Sequence, residues 1–453
     1  MSLVKKFFHY ILPSIVAMWV YSIYTMVDGI FVARGVGPEA LGAVNIAMPY
    51  VNGVFAASIL FGTGASTTVA ILLGKKREQE ASHVFSMNTA VLTAVSLVLT
   101  AVTLIFLDPI ARFLGATQGN ILYVKQYLSV ISSFNVFFIL SYSFEVMVKT
   151  DGFPKLSPIG VCTSAVTNIV LDWLFVMMFH WGVVGAAVAT GISQVFSTAV
   201  FAVHFLRRRG TLRFCRFPLR LSLYKKIVSL GFSDCITESS VGVITFLFNH
   251  MILREIGEQA IVSYTVIAYF NTLVLMTMAG ISQGIQPLVS FYHGRGEEKT
   301  CRAFLRMAVY AVAAASLLSF LLSQTMGQYA VAAFIDRAAE AELFEYTVGA
   351  FRLFSFAFLA AGFNVVFAGF FAAAERPAFA LVVSLGRGMV LIALSLVVMT
   401  ALFGETGIWL SSAASEGVCL LLSLGLFLVY LRKSPAGQRG AAPAMVQPAA
   451  ETE

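Results

Sequence analysis

Arg34-Gly35-Val36-Gly37-Pro38-Glu39-Ala40-Leu41 aligns without a gap with Arg254-Glu255-Ile256-Gly257-Glu258-Gln259-Ala260-Ile261, at an offset of 220 residues. The same offset places Gly64 opposite Gly284, Gly74-Lys75 opposite Gly294-Arg295, and Glu78 opposite Glu298. Identity is low, but the register holds through a loop, a long apolar run and the loop after it. A chain of 453 residues with this pattern reads as two copies of one bundle in the same orientation, the duplication found in transporters whose substrate path lies between the halves.

The composition says what kind of bundle this is. Apolar residues make up 58% of the chain and charged residues 12%. Soluble proteins carry about 25% charged residues, so too little polar surface remains to cover a soluble body of this size. A soluble enzyme, a disordered chain and a disulfide scaffold are excluded. The expected fold is all-α and polytopic: twelve transmembrane helices in two pseudo-symmetric six-helix lobes. Taking roughly 20 apolar residues per crossing, the spans fall at 8–33, 41–73, 84–107, 120–148, 156–178, 182–206, 226–254, 259–291, 303–325, 343–373, 378–402 and 406–431. The first lobe then covers 1–206, a basic linker 207–225 and the second lobe 226–433. A tail rich in Ala, Pro and Gly, 434–453, reads as disordered and cytoplasmic.

Twelve spans put both termini on one side. That side receives 23 of the 30 Lys and Arg; six (Arg34, Arg112, Lys125, Arg254, Arg337 and Arg352) fall opposite, and Arg387 lies inside a span. The positive-inside rule makes the terminal side cytoplasmic in a plasma (inner) membrane. The net charge of +7 follows from these loops and does not indicate nucleic acid. Cys162, Cys215, Cys235, Cys301 and Cys419 are scattered, with no metal or disulfide spacing. No phosphate-binding loop, zinc motif or catalytic Ser motif is present. The chain is therefore not expected to be an enzyme or to need a resident cofactor. Transport would draw on an ion gradient, a substrate gradient or a partner, and nothing requires more than a monomer in membrane lipid.

An ionisable side chain at mid-bilayer costs about 2.5–3.5 kcal/mol on insertion scales, so such residues are candidates for function. Asp28 lies deep in the first span. Asn168 and Asp172 in the fifth are four apart and share a helix face, and Thr190 in the sixth adds a hydroxyl. These oxygens suit Na⁺, or H⁺ carried on a carboxylate. Glu238 in the seventh span is a candidate for a cationic cargo. Asn45, Gln283 and Asn364 are single polar residues that could contact substrate or join helices. Asp234 is placed to cap a helix, Glu145 and Lys149 to form a structural ion pair, and Arg387 and Glu416 to pair with each other. Pro49 and Pro287 are placed to kink their helices. The Met and Phe content suits an adaptable lining.

Several of these stretches together resemble one family. They are Leu12-Pro13, Asp28-Gly29-Ile30-Phe31-Val32-Ala33-Arg34, Asn168-x-x-x-Asp172, Gly182-x-x-Gly185-Ala186-Ala187-x-Ala189-Thr190 and Gly280-Ile281-Ser282-Gln283-Gly284-Ile285-Gln286-Pro287. Their order and spacing are similar to multidrug and toxic compound extrusion (MATE) transporters over about residues 10 to 430. The resemblance implies a V-shaped pair of lobes that alternates access and exports cationic, amphiphilic small molecules in exchange for Na⁺ or H⁺. It implies a cation site at Asp28, Asn168, Asp172 and Thr190, and a second-lobe carboxylate at Glu238. The family's further acidic position in the tenth span has no counterpart here, Asn364 being the nearest polar residue, so coupling is expected in the first lobe. A flippase for a lipid-linked sugar shares this plan and would need a basic cavity. A membrane enzyme would need clustered His, Asp or Glu at a membrane face, and the six His are dispersed.

Overall fold

The computed structural model describes residues 2–36 and 38–433, so the expected tail lies outside the described residues. Among the described residues all regular structure is helical. In chain order the first half comprises α1 (Leu3–Gly35), α2 (Pro38–Gly74), α3 (Glu78–Ile105), α4 (Leu107–Phe113), α5 (Ile121–Ser133), α6 (Asn135–Thr150), α7 (Leu156–Asp172) and α8 (Gly182–Leu206). The second half comprises α9 (Leu221–Glu255), α10 (Gln259–Gly294), α11 (Glu298–Ala332), α12 (Ala341–Phe354), α13 (Phe358–Ala373), α14 (Pro377–Leu385), α15 (Leu391–Phe403) and α16 (Glu405–Lys433). Eleven spans are long and apolar enough to cross a membrane, and α5 with α6 makes a twelfth, bent by 50°. Their outer faces expose Leu97, Val98, Leu321, Val397 and Leu421, as lipid contact requires.

The hydropathy pattern does not show the bend in the fourth span. It sits at Phe134, whose ring occupies the space a Cβ on Gly191 of α8 would fill. The break releases the Ser132 carbonyl, and Thr100 Oγ1 donates to it at 2.7 Å. Asn135 Nδ2 donates to Tyr50 Oη at 2.7 Å. A backbone group freed inside a membrane needs such a substitute partner. Two further irregularities are π-helical turns, Trp173–Met178 after α7 and Gly386–Val390 between α14 and α15. Helices α2 and α10 continue through Pro49 and Pro287 as single elements.

Each lobe has two large apolar cores, one towards the termini and one towards the opposite, far side, and the first lobe adds a small cluster of Ile59, Tyr142 and Val146. The terminal-side cores are exchanged at their edges. Phe7 and Ile11 of α1 are buried in the second lobe with Met278, Ile285 and Phe304. Ile227 of α9 is buried in the first lobe with Ala65, Phe144 and Phe205. Phe7 and Ile227 are equivalent at the 220-residue offset, so the exchange follows the repeat.

Close helix crossings hold the lobes together on the terminal side. A Cβ on Gly64 of α2 would run into the Ile227 carbonyl, and one on Gly231 of α9 into the Leu60 carbonyl. Gly280 and Gly284 of α10 meet the backbone of Ile15 and Ile11 of α1 in the same way. On the symmetry axis, Gly74 lies against Phe291 and Gly294 against Ile71. Glycine is needed here for approach, since any side chain would force the backbones apart. The glycines that mark the repeat in the sequence are thus the ones that close the seam. Near mid-depth, Trp19 Nε1 donates to Thr277 Oγ1 at 2.9 Å. At that depth a cleft of about 1000 Å³, open mouth included, lies between the lobes.

Candidate functional site

The site has two neighbouring parts, a cation-sized cluster of oxygens in the first lobe and the cleft beside it. Asp28 reaches the cluster because α1 packs on α7. Its side chain faces those of Asp172 and Asn168. The one-turn spacing on α7 sets Asn168 and Asp172 on the same side, and both are 0% exposed. Asn168 Nδ2 donates to Thr190 Oγ1 at 3.3 Å, and Thr190 itself donates to the Ala186 carbonyl at 3.0 Å. Four oxygens are left buried without a donor: Asp28 Oδ1, Asn168 Oδ1 and both oxygens of Asp172.

Buried acceptors without donors are costly, and two carboxylates facing each other add repulsion. A small cation removes both penalties. The donor set fits one: carboxylate and amide oxygens, with no sulfur or imidazole, suit a hard ion. Among the described residues no group of three or more His, Cys, Asp or Glu is arranged to hold a metal, so the set is unlike a transition-metal centre. Thr190 orients the Asn168 amide through its hydrogen bond. The π-turn that begins at Trp173, directly after Asp172, is a departure from α-geometry of the kind often found at functional positions.

The cleft is lined by Tyr21, Tyr24, Phe55, Tyr142, Glu238 and Gln283, among others. Tyr21 stacks on Phe55 at 5.8 Å and Phe55 meets Tyr142 edge-on at 5.3 Å. Two carboxylates reach this aromatic space. Glu145 is bound by Lys149 at 2.9 Å and by Ser157 Oγ at 2.8 Å. Glu238 has no cation within 4 Å among the described residues. The floor is polar. Lys149 Nζ donates to Gln283 Oε1 at 3.4 Å across the lobes, and Asp234 faces Thr63 and Gln286. Asp234 lies well inside α9, so it joins the interlobe floor and does not cap a helix.

Of the expected site residues, the structure brings Asp28, Asn168, Asp172 and Thr190 together, and brings Glu238 and Gln283 to the cleft. Asn45 and Asn364 are not among the residues lining the cleft. Asn45 is exposed on α2. Asn364 is fully buried in the second lobe, donating to Glu416 Oε2 at 2.7 Å and accepting from Ser423 at 2.9 Å. It supports the Arg387–Glu416 ion pair of 2.6 Å, so its hydrogen-bonding capacity is used internally. Two residues join the parts of the site and were not singled out by sequence: Tyr24 and Gln194 line the cleft, and Tyr24 neighbours both Asp28 and Gln194. Both lie one turn from a recognised residue, Tyr24 from Asp28 and Gln194 from Thr190. Extending the same-face rule by one turn would have found them.

The second lobe does not repeat the cation cluster. The position equivalent to Asp28 is Phe248, which is buried and stacked on Tyr264 at 4.8 Å. It sits in an apolar core with Ile392 and Trp409.

Known proteins match this architecture along almost its whole length. "Multidrug export protein MepA" of Staphylococcus haemolyticus (strain JCSC1435) is 26% identical over 435 residues, covering 95% of this chain and 94% of its own. The protein of the same name from Staphylococcus aureus (strain N315) is 25% identical, with coverages of 94% and 93%. The solved structure "Outward-facing conformation of a multidrug resistance MATE family transporter of the MOP superfamily" superposes with a TM-score of 0.89 at 18% identity, over 95% of this chain and 96% of that one. A Pyrococcus furiosus transporter of the MOP superfamily, whose binding pocket is described as having reverse polarity, superposes with a TM-score of 0.87 at 19% identity, over 96% and 97%. The MatE family profile matches residues 13–174 and 235–403. The chain therefore belongs to the MatE family, the multidrug and toxic compound extrusion transporters.

Proposed function

We propose that this protein exports cationic, amphiphilic small molecules in exchange for a monovalent cation, Na⁺ or H⁺, bound at Asp28, Asn168 and Asp172. The observation that carries the reading is the set of four buried oxygens without donors in the first lobe. Glu238, facing an aromatic cleft without a counter-ion, supplies the charge for a cationic cargo, and Tyr21, Phe55 and Tyr142 supply ring faces that attract cations. Tyr24 and Gln194 connect cleft and cluster, so the occupancy of one bears on the shape of the other. The excess of Lys and Arg on the terminal side supports assigning that side, with both termini, to the cytoplasm of the plasma membrane. The seam is then closed towards the cytoplasm.

The experiment compares efflux of a cationic fluorescent dye from vesicles holding wild type or Asp172→Asn, under an imposed Na⁺ gradient and separately under a pH gradient. Efflux in wild type that the variant loses supports the reading, and the effective gradient names the ion. No efflux under either gradient, with the protein present in the membrane, would overturn drug export and point to a lipid-linked cargo.

A further inference from the structure

We propose that a second site, on the terminal side between the start of α3 and the start of α9, binds an anionic phosphate group. The crevice there spans about 850 Å³, open mouth included. Its rim carries Lys75, Arg77, His83, Arg220 and Lys226, with Glu80 the single acid, and its floor is apolar, formed by Ile71, Val84 and Met87 among others. Part of the charge is matched within the protein: Arg77 pairs with Glu80 at 2.5 Å, and Lys226 pairs with Glu375. Lys75 and Arg220 have no carboxylate within 4 Å among the described residues.

The repeat supplies a comparison within the same molecule. In the second half, the position of Lys75 is taken by Arg295 and that of Arg77 by Glu297, and these two pair at 2.9 Å. The counterpart of Lys226 is Lys6, whose ammonium donates to Tyr292 Oη at 2.8 Å. The first half has Arg77 in place of that acid and pairs it with Glu80, where the second half has Thr300, and it adds Arg220, which has no counterpart at the offset, so Lys75 and Arg220 are left on the rim without a carboxylate among the described residues. Like charges facing one crevice repel, and an external anion converts that repulsion into attraction. An apolar floor below a basic rim suits a phosphate that carries a hydrocarbon part, as in a phospholipid headgroup at the membrane surface. Free phosphate presents the same charged chemistry. The crevice lies between α2 and α3 on one side and the end of the linker with the first turn of α9 on the other, so a bound headgroup ties the linker to the first lobe.

The test uses the full chain in lipid nanodiscs of phosphatidylcholine with a minor fraction of phosphatidylglycerol, counting retained lipids by native mass spectrometry. Wild type is compared with Lys75→Gln/Arg220→Gln, which alters only exposed side chains, and with Arg208→Gln/Arg209→Gln, which removes the same charge from the linker outside the crevice. Each basic residue near a membrane surface contributes about fivefold in affinity for an anionic lipid. Preferential retention of phosphatidylglycerol should fall up to about 30-fold in the crevice variant and by a smaller factor in the linker variant, whose arginines lie outside the crevice. In a second arm, inorganic phosphate is added to protein in pure phosphatidylcholine. Phosphate raising the melting temperature of wild type and not of the crevice variant, without selective retention of phosphatidylglycerol, would uphold the site and assign it to free phosphate. Equal losses in the two double variants, or no difference between wild type and the crevice variant in either arm, would overturn the proposal.

Discussion

Gly64→Ala tests whether the glycine seam belongs to one state of the transport cycle. A Cβ at position 64 would lie 2.8 Å from the Ile227 carbonyl carbon and closer still to its oxygen. Carbon atoms in contact settle near 3.5–4.0 Å, so α2 and α9 must separate by about 1 Å. Overpacking of this kind costs about 1–3 kcal/mol. The cost falls on the arrangement in which the seam is closed and not on one in which the lobes part there. A penalty on one state alone shifts the balance between them by roughly 5- to 150-fold. Gly53→Ala is the control: it lies on the same helix with nothing within 4 Å of the new Cβ, and alanine is the better helix former by about 1 kcal/mol. Spin labels at Arg207 and Lys299, exposed positions on the terminal side of the two lobes, report lobe separation. The accessible cysteines 162, 215 and 235 are replaced beforehand, and Cys301 and Cys419 are buried. Gly64→Ala should populate longer distances and slow dye export, and Gly53→Ala should do neither. An unchanged distance distribution with wild-type export in Gly64→Ala would refute the assignment of the seam to one state.

Glu416→Ala should lower thermal stability by about 3–5 kcal/mol, since it strands the Arg387 guanidinium in the second lobe; adding Arg387→Met should recover most of the loss in a melting experiment. Asp151→Ala removes the acceptor of His204 Nε2 at 2.8 Å and of the Thr211 and Leu212 amides at 2.8 and 3.0 Å. The linker should come away from the first lobe, and trypsin should cut within 207–216 at least several times faster than in wild type. Glu375, in the loop before α14, has its carboxyl lowered to about 2 by the His293 hydrogen bond and by Lys226. Its ionised form is favoured by folding, so its contribution is complete above about 4.5, the ordinary glutamate value, and is lost as pH falls from there towards 2. Melting temperature should drop across that window, less steeply in Glu375→Gln; equal slopes would show that the cluster contributes nothing to acid stability.

Most of the architecture was legible because bilayer thickness imposes a run length that composition reveals. The repeat was legible because Gly64 and Gly74 are held by contacts that their partners Gly284 and Gly294 make in turn. The bend at Phe134 was not, since the sequence there stays apolar and the turn depends on Gly191 in a distant helix. The π-turns were equally silent, being changes of hydrogen-bond register within runs of unchanged hydropathy. Asp28, Asn168 and Asp172 stood out because charge and amide are expensive in lipid. Asn364 stood out for the same reason and proved to serve Glu416, since cost marks a buried polar residue without saying which neighbour repays it. Lys75 and Arg220 gave no signal of a site, because a basic residue in a terminal-side loop is ordinary until the space between two such loops is known.

The exchange of Phe7 and Ile227 between the lobes bears on how the chain is made. The N-terminal turns of α1 leave the ribosome long before the second half, yet the surface that buries Phe7 and Ile11 is assembled from α10, α11 and α13. Those turns must wait in the membrane until most of the second half has been synthesised. The first half, severed in the linker and produced alone, would lack the Ile227 plug of its own core and carry an unmatched apolar end on α1. Produced together, the two fragments would each hold the missing piece of the other, and association would complete both cores in one step.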